Sequence, residues 1–421
     1  MNDYSWRWRI RVALPVNANH FTRGVAIVYF PFVNSSKRQR IVCGMSGGVD
    51  SSATAALLLE QGYEVVGITL KLWPQDCVNR AEDRCCGPQA VADARAVCHT
   101  LGIPYYLIDE AAEFQKHVIS YFADEYKAGR TPNPCVMCNQ NLKFGRLIDR
   151  ANQLGAEFVA TGHFARIEKV CSSRREEAPS EKAESGKRKA GIEQSLVTSA
   201  VTRYLLKRGR DLKKDQSYFL FSLRQDQLAR AMFPLGEKTK SDTRAVARHC
   251  HLKTADKEES MEICFVPDND YGKFLEQAKL AEKHRGEILD LHGHVLGHHD
   301  GIEFYTIGQR RGLGISTPKP VYVVELDAEN NRVVVGDESA LDRDEFTAGH
   351  CNWIPFDKLA GPMEVAAKIR YNHPGTPATV TPTGNGSVNV KLHSAQRAIT
   401  PGQAAVFYRD DLVLGGGWIA R

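Results

Sequence analysis

The sequence lacks a hydrophobic run long enough to cross a bilayer, and it has no recognisable export signal. Its longest apolar stretch near the N-terminus, residues 25–33, is much shorter than the roughly 20 residues that a membrane-spanning helix requires. We therefore expect no membrane role. The chain contains 11 cysteines, and this odd number favours a reducing, cytoplasmic setting in which thiols serve as ligands or nucleophiles.

Acidic residues are almost absent from the first 39 positions. Asp3 is the only acid there, whereas Arg7, Arg9 and Arg11 alternate with apolar side chains. An arginine-rich, acid-poor leader is compatible with a transit peptide and a mitochondrial location. An overextended start or a disordered extension fits the same composition. We predict that residues 1–39 form an N-terminal extension that is disordered or transit-like.

Aromatic residues are also scarce in residues 171–200, which are rich in Ser, Glu, Lys and Gly. Such a segment cannot bury enough apolar surface to order itself, so we predict a disordered insertion. Over the whole chain the formal net charge is only +5, which permits a nucleic-acid partner without requiring one. The length of 421 residues predicts two or three domains.

Short β-branched runs alternate with helical patterns from residue 40 onwards, which predicts a parallel sheet covered by helices. The expected strands are residues 41–43, 64–70, 105–108 and 158–160, and the expected helices are 51–61, 89–101 and 114–128. After residue 270 the helical pattern fades and short β runs suggest small β domains or barrels. These runs are 286–291, 303–307, 321–326, 332–335, 365–369, 388–392 and 404–408. We predict an α/β domain over 40–269, a small central β domain over 270–338 and a β-barrel over 339–421.

A glycine-rich loop from Gly44 to Ser52 follows the first predicted strand and precedes the first predicted helix. Glycines let the backbone approach a phosphate closely, and the free amides of a helix N-terminus point at it. The loop lacks the Gly-Lys-Ser/Thr ending of a Walker loop, so its chemistry should differ from ordinary γ-phosphate transfer. It resembles the Ser-Gly-Gly-x-Asp-Ser loop of the ATP pyrophosphatases, which transfer AMP to a substrate oxygen. A tight turn without a ligand is the alternative.

Two cysteines, Cys135 and Cys138, follow closely after Pro132 and Pro134. Because proline fixes φ and discourages regular helix, we expect a rigid, exposed loop that aims sulfur at a ligand. Cys264 offers a third thiol among apolar neighbours. Taken alone, the pattern fits a redox pair, half a zinc site, part of an iron–sulfur site, or inert thiols.

The order of eight motifs resembles the tRNA-specific 2-thiouridylases, the MnmA family. The motifs are the Gly-Met-Ser-Gly-Gly-Val-Asp-Ser loop, Asn-Pro-Cys-Val-x-Cys-Asn, Ala-Thr-Gly-His-Phe-Ala-Arg, Lys-Lys-Asp-Gln-Ser-Tyr-Phe-Leu, Ser-Met-Glu-Ile-Cys-Phe-Val, Tyr-Thr-Ile-Gly-Gln-Arg-Arg-Gly-Leu, Ile-Arg-Tyr and Pro-Gly-Gln-Ala-Ala-Val-Phe-Tyr. The similarity covers residues 40–421 apart from the insertion. It implies a PP-loop domain of the adenine nucleotide α-hydrolase type followed by two small β domains.

The resemblance implies a specific reaction. ATP with Mg²⁺ adenylates the C2 oxygen of the wobble uridine in certain tRNAs, and sulfur then displaces AMP. The cysteine matching Cys264 carries a persulfide delivered by a relay protein, and the cysteine matching Cys138 releases that sulfur and leaves a disulfide. The expected sulfur source is a sulfur-donor or relay protein, or sulfide. A monomer bound to one tRNA is the expected assembly.

At one position the sequence departs from many family members, which have Asn-Pro-Asp where this chain has Asn133, Pro134 and Cys135. The change removes a carboxylate and adds a third thiol. Cys135, Cys138 and Cys264 could together hold a 4Fe–4S cluster with one open iron position. We expect this cluster ahead of the persulfide scheme, with zinc third.

The family pattern assigns further residues to ATP and to tRNA. Those expected to bind ATP are Gly44, Met45, Ser46, Gly47, Gly48, Val49, Asp50, Ser51, Leu70 and Gly162, with Asp50 also on Mg²⁺. Those expected to meet tRNA are Asn133, Pro134, Cys135, His163, Lys214, Asp215, Gln216, Arg370, Tyr371 and Gln403. Judged without the family, Leu70 fits core packing equally well, His163 fits an ordinary core or surface histidine, and the basic run before Asp215 fits a solvated face.

Two other features are expected to be structural. Cys85, Cys86 and Cys98 fit inert thiols better than a metal site, and the histidines at 292, 294, 298 and 299 fit a surface turn. Two rival functions also share the loop. An ATP pyrophosphatase that activates a carboxylate or amide for ammonia would not need the cysteines, and an RNA-binding protein with a vestigial loop would not consume ATP.

Overall fold

The computed structural model describes residues 38–72, 87–171, 202–258, 263–266 and 270–420. The predicted extension and insertion therefore lie almost entirely outside the described residues, as do Cys85 and Cys86. Among the described residues, no helix is both long enough and apolar enough to cross a membrane.

The first sheet is parallel, as the alternation of strands and helices predicts. Its strands are β1 (Arg40–Gly44), β2 (Glu64–Lys71), β3 (Tyr105–Asp109), β4 (Phe158–Ala160) and β7 (Ala231–Met232). They lie in the order β3-β2-β1-β4-β7. The strand order reverses between β1 and β4, which is where open parallel sheets bind their ligands.

Helices pack on both sides of this sheet or connect it to the later domains. They are α1 (Val49–Glu60), α2 (Pro88–Leu101), α3 (Ala111–Phe114), α4 (Ser120–Lys127), α5 (Pro134–Cys138), α6 (Leu147–Gln153), α7 (Gln225–Leu228), α8 (Lys240–His249) and α9 (Tyr271–Gln277). Two π-helical stretches, Gln115–Ile119 and Asn139–Arg146, join α3 to α4 and α5 to α6. Such stretches are frequent at functional sites.

The segment around Cys135 and Cys138 is helical, so the prediction of a rigid exposed loop is wrong. Pro134 occupies the first helical position of α5. There the missing N–H costs nothing and the fixed φ suits the helix, so proline starts this helix rather than preventing it. Both thiols are half-buried rather than exposed.

The central β domain forms a small sheet with the order β10-β11-β8-β9. Its strands are β8 (Gly286–Leu289), β9 (Val295–His299), β10 (Tyr322–Asp327) and β11 (Arg332–Gly336). The strand predicted over 303–307 is wrong, because Ile302–Phe304 form a 3₁₀ turn. Ile302 and Tyr305 are both buried in the core of this domain, and their spacing of three residues matches one such turn. Helix α9 also shows that helical structure continues past residue 270, since buried Leu275 anchors it in an apolar cluster.

The C-terminal strands close into a barrel, as predicted. They are β12 (Asp342–Trp353), β13 (Met363–Lys368), β14 (Thr376–Gly384), β15 (Ser387–Arg397), β16 (Ala404–Arg409) and β17 (Leu412–Ile419). The order is β12-β15-β14-β13-β16-β17, and a further pairing of β12 with β17 completes the circle.

A hairpin from the α/β domain extends the barrel sheet. It consists of β5 (Ala165–Cys171) and β6 (Thr202–Arg208), which flank the predicted insertion. Strand β6 pairs with β17 through Lys207 and Leu412. The region predicted as the catalytic domain therefore contributes strands to the C-terminal sheet, a pairing that local sequence patterns do not reveal.

Candidate active site

The glycine-rich loop adopts the cradle that its sequence predicts. It leaves β1 at Gly44 and enters α1 at Val49. Gly47 has a φ of +71°, and a Cβ at this position would lie 2.1 Å from the carbonyl oxygen of Ala90. Only glycine fits both constraints. The loop is thus pressed against the start of α2, with the first-turn amides of α1 available to a ligand.

Serine hydroxyls fix the inner shape of this loop. The backbone N–H of Ser46 donates to the hydroxyl of Ser51 at 3.2 Å, and that hydroxyl donates to the carbonyl of Gly48 at 3.1 Å. The two hydroxyls of Ser46 and Ser51 also lie 3.2 Å apart. Both side chains therefore converge at the mouth of the loop, where their predicted role is phosphate binding.

Gly162, after β4, lies directly against the loop. A Cβ at this position would lie 2.9 Å from both the Cβ of Asp50 and the backbone nitrogen of Ser51. The structure therefore brings Gly162 and the loop together across the β1–β4 boundary, as the sequence predicts. Leu70, at the end of β2, is half-buried and packs on the apolar core, whereas Met45 and Val49 are buried core residues.

Lys240 contacts the loop and was not found from the sequence. Its ammonium lies 2.6 Å from Oδ1 of Asp50, and the two side chains are 12% and 30% exposed. Lys240 is the first residue of α8, whose start is fixed by Thr239 and Asp242 in a capping box. That capping pattern is visible in the sequence and predicts the helix start, but it does not predict the partner of Lys240. A partly exposed carboxylate at a phosphate cradle suits Mg²⁺, which needs few protein oxygens beside substrate phosphates.

A second lysine ties the loop to the segment that leads to Cys264. The ammonium of Lys257 donates to the carbonyl of Gly47 at 3.2 Å and to Oδ2 of Asp93 at 2.6 Å. Burial alone would raise the pKa of Asp93, but hydrogen bonds from Lys253, Lys257 and Gln89 hold that pKa below its usual value. Asp93 therefore stays ionised and anchors both lysines.

The structure places Cys138 and Cys264 on the same apolar cluster. Both pack partly buried against a core that includes Phe122, Leu142 and Phe265. The described residues contain no group of three or more His, Cys, Asp or Glu side chains that could hold a metal ion.

Residues from the barrel position the segment that leads into α5. The side-chain amide of Gln403 donates to the carbonyls of Thr131 and Pro132 at 3.2 and 3.0 Å. The N–H of Thr131 donates to the carbonyl of Pro401 at 2.8 Å. Asn133, at the start of α5, is 7% exposed. Gln403, predicted to meet tRNA, thus contacts the cysteine-bearing segment in this structure.

Several other residues predicted to meet tRNA have structural partners. Asp215 is 4% exposed, and its carboxylate accepts hydrogen bonds from the N–H groups of Gly209 and Ser217. The side chain of Gln216 accepts from the N–H of Phe164 at 3.0 Å. These contacts hold the turn after β6 against Phe164, which follows β4 near the glycine-rich loop. Lys214 lies half-buried in the same turn.

His163 is buried rather than displayed to a partner. It is 7% exposed, its Nδ1 lies 2.7 Å from the hydroxyl of Thr161, and its ring packs between Phe144 and Phe233. Burial, with a smaller effect from Lys143, lowers the pKa of His163 well below its usual value. The imidazole is therefore neutral at physiological pH, and in this conformation it offers RNA little surface.

Arg370 and Tyr371, also predicted to meet RNA, lie side by side after β13. Arg370 is exposed, with one guanidinium nitrogen 3.4 Å from the carbonyl of Arg397. The half-buried ring of Tyr371 lies 4.6 Å from that of Phe219. The carbonyl of Phe219 in turn accepts a hydrogen bond from the side chain of Asn139 at 3.0 Å. Tyr371 is therefore linked through two contacts to the residue that follows Cys138.

Comparison with known proteins gives this arrangement a family. Three family models match in succession, a tRNA methyl transferase HUP domain over residues 39–268, a tRNA methyl transferase PRC-barrel domain over residues 272–337 and an aminomethyltransferase beta-barrel domain over residues 343–419. Among solved structures, an NMN synthetase from Francisella tularensis aligns with a TM-score of 0.29 at 15% identity over 53% of this chain and 67% of that chain. A likeness at that level supports no argument.

Curated relatives match over nearly the whole chain. The tRNA-specific 2-thiouridylase MnmA of Heliobacterium modesticaldum is 47% identical over 386 residues, which are 91% of this chain and 93% of that protein. The tRNA-specific 2-thiouridylase MnmA 1 of Caldanaerobacter subterraneus subsp. tengcongensis is 46% identical over 385 residues, which are 91% of this chain and 98% of that protein. Because identity of this degree extends through the nucleotide loop, the cysteine segments and the barrel, the chain belongs to the tRNA-specific 2-thiouridylase family.

Proposed function

We propose that this protein is a tRNA sulfurtransferase that uses ATP to convert the wobble uridine of tRNA to 2-thiouridine. The observation that carries the proposal is family membership over nearly the whole chain, joined to an intact phosphate cradle and two cysteines on one apolar cluster. Neither rival function needs both the phosphate cradle and the two cysteines. A ligase that uses ammonia has no use for the thiols, and a vestigial loop has no need of the close packing at Gly47 and Gly162.

The nucleotide half performs the activation. Ser46, Ser51 and the first amides of α1 bind the phosphates of ATP. Asp50 would hold Mg²⁺, and the ion would supply positive charge to the pyrophosphate leaving group. The uracil C2 oxygen attacks the α-phosphate and pyrophosphate leaves. The C2 oxygen, a poor leaving group by itself, can then leave as AMP. Lys240, the partner of Asp50, lies close enough to share this negative charge.

The cysteine half delivers sulfur. In the scheme we propose, Cys264 carries the outer sulfur of a persulfide that a relay protein transfers from its own persulfide. The thiolate of Cys138 attacks the inner sulfur, hydrosulfide leaves and attacks C2, and AMP departs. The two cysteines then form a disulfide, which a cellular thiol must reduce before the next turnover. This requirement favours the reducing cytoplasm.

We propose the persulfide scheme because Cys138 and Cys264 pack on the same apolar cluster, and a 4Fe–4S cluster held by Cys135, Cys138 and Cys264 is the alternative. Cys135 lies one helical turn before Cys138 on α5. It is therefore a neighbour of the nucleophile rather than a required ligand in this scheme.

The decisive experiment combines purified protein, unmodified tRNA, ATP, Mg²⁺ and either sulfide or a persulfide donor, and measures both AMP and 2-thiouridine. We expect equal amounts of the two products. AMP without thiolated RNA would refute the proposed function. Full activity with a persulfide donor, with no bound iron in elemental analysis, supports the persulfide scheme, whereas activity that requires stoichiometric iron refutes it. Gel filtration with and without tRNA tests the expected monomer.

A further inference from the structure

Two positive side chains face one buried tyrosine where the β5–β6 hairpin meets the barrel. The guanidinium carbon of Arg208, the last residue of β6, lies 4.0 Å from the ring centroid of Tyr408. The ammonium of Lys368, the last residue of β13, lies 6.0 Å from the same centroid. The two cations thus approach each other from separate domains, although like charges repel.

Neither positive group has an acceptor in the described part of the chain. Nε of Arg208 is buried and has no hydrogen-bond partner. Lys368 is only 7% exposed, and its ammonium has no ion-pair or hydrogen-bond partner among the described residues. A buried donor without an acceptor costs on the order of 1–3 kcal/mol, and a charged donor costs more. The aromatic rings attract both cations but supply no hydrogen-bond acceptor for them.

One carboxylate lies near enough to matter, that of Asp215. Burial lowers the pKa of Lys368 and Arg208 lowers it further, whereas the attraction of Asp215 acts in the opposite direction. Both oxygens of Asp215 already accept hydrogen bonds, from the N–H groups of Gly209 and Ser217 and from the Ser217 hydroxyl. A single, already bonded carboxylate does not satisfy two cations, so the cluster keeps a net positive charge.

Aromatic rings connect this cluster to the proposed RNA surface. The ammonium of Lys368 lies 5.9 Å from the centroid of Tyr218 and 5.8 Å from that of Tyr371. Tyr371 is half-buried beside exposed Arg370. The cluster therefore approaches solvent on the side where a base could stack on Tyr371, and Phe219 links that side to Asn139 next to Cys138.

We propose that Arg208 and Lys368 form a subsite for a backbone phosphate of the RNA substrate, separate from the loop that binds the phosphates of ATP. A phosphate would supply the acceptors that both side chains lack, and Tyr371 would stack a base next to it. The inference rests on the proposed function, because it takes the substrate to be RNA. It assigns this work to two residues outside the motifs that suggested RNA contacts.

The test measures the affinity of full-length protein for tRNA at several salt concentrations. Because each neutralised phosphate releases counterions, the slope of log K against log salt should fall by roughly 0.7 to 1 for Arg208→Met and for Lys368→Met. Affinity should fall about 3- to 10-fold, equally for substrate and non-substrate tRNAs, since phosphate contacts carry no sequence information. Lys368→Arg should restore the slope. Lys391→Met removes a lysine that is half-exposed and paired with Asp344 on the same barrel, and it should leave the slope unchanged.

Circular dichroism and thermal unfolding check that the variants fold, and a loss of folded protein without a change of slope would overturn the proposal. A wild-type slope in both methionine variants would also overturn it, even if the wild-type enzyme thiolates tRNA. If the wild-type protein neither binds nor thiolates tRNA, the proposed function itself fails. Inorganic phosphate and pyrophosphate serve as further probes. Suppose that either anion raises the unfolding temperature of the wild type but not of the two methionine variants, and that the salt slope for tRNA is the same in all three proteins. The subsite then binds a free anion, and the assignment to RNA is wrong.

Discussion

The nucleotide loop and the cysteine segment are built in contrasting ways. The loop takes its shape from residues close in sequence, through hydrogen bonds between Ser46 and Ser51 and through the backbone freedom of Gly47. The cysteine segment takes its position from distant parts of the chain, as the bond from Gln403 to Thr131 spans 272 residues. The activating half is therefore locally determined, whereas the sulfur half depends on the whole fold.

The largest expected effect separates the two halves by their products. Cys138→Ser and Cys264→Ser should each reduce 2-thiouridine below detection and leave AMP formation within about threefold of wild type, because a hydroxyl cannot replace the reactive thiolate. Quantitative nucleoside analysis and AMP release measure the two products. Cys351→Ser is the matched control, since burial raises the pKa of that thiol to about 12 and keeps it inert. Thiolation by either serine variant would contradict the proposed sulfur transfer.

Gly47→Ala should damage the nucleotide half next most strongly. The new methyl group would collide with the carbonyl of Ala90, and the positive φ adds strain, so we expect about 3 kcal/mol of lost stability and AMP formation about 100-fold lower. Denaturant unfolding and AMP release test this. Gly62→Ala is the control, because Gly62 has a φ of +88° with no atom within 4 Å of the added Cβ, so it reports the strain alone. Equal effects of both variants would show that close packing at Gly47 does not matter.

Gln403→Ala should affect the cysteine half without disturbing the loop. The two lost hydrogen bonds stabilise the position of the segment before α5 by on the order of 1–2 kcal/mol. We expect the yield of 2-thiouridine per AMP to fall about 10-fold. If Gln403 instead contacts tRNA, the affinity for tRNA will fall and the product ratio will not. Gln396→Ala, on the same barrel, should change neither quantity.

The smallest expected effect concerns pH. Because the pKa of His163 is far below its usual value, the unfolded state binds a proton below about pH 6.5 that the folded state does not. The free energy of unfolding should therefore fall as the pH drops from 6.5, by at most about 1.4 kcal/mol per pH unit from this group. His163→Phe should weaken this dependence, whereas replacing exposed His284 with Gln should not. An unchanged slope in His163→Phe would show that the residue is not buried in neutral form.

The same contrast explains what the sequence could predict. The parallel sheet and the cradle at Gly47 follow from local patterns, and the structure shows both. The loop predicted at Cys135 is wrong because proline suits the first helical position, which Pro134 occupies. That choice was open to correction from sequence, since the motif places Pro134 immediately before Cys135.

Other features could not be predicted because they depend on tertiary contacts. Lys240 and Asp50 are 190 residues apart in the sequence, and neither residue type predicts which partner it will contact. The burial of His163 and Asp215 likewise depends on how β4 and the turn after β6 pack together. Residue type and local spacing fix what a side chain is able to do, while only the fold determines what it touches.

The pairing of β6 with β17 has a consequence for how this chain is made. Strand β17 lies at the end of the described chain, so during synthesis the β5–β6 hairpin emerges long before its neighbour in the sheet exists. A ribosome-bound intermediate would expose that open strand edge, a hazard for aggregation. Truncation before Leu412 should therefore damage the α/β domain as well as the barrel, because β17 completes a sheet edge that the earlier strand β6 leaves open.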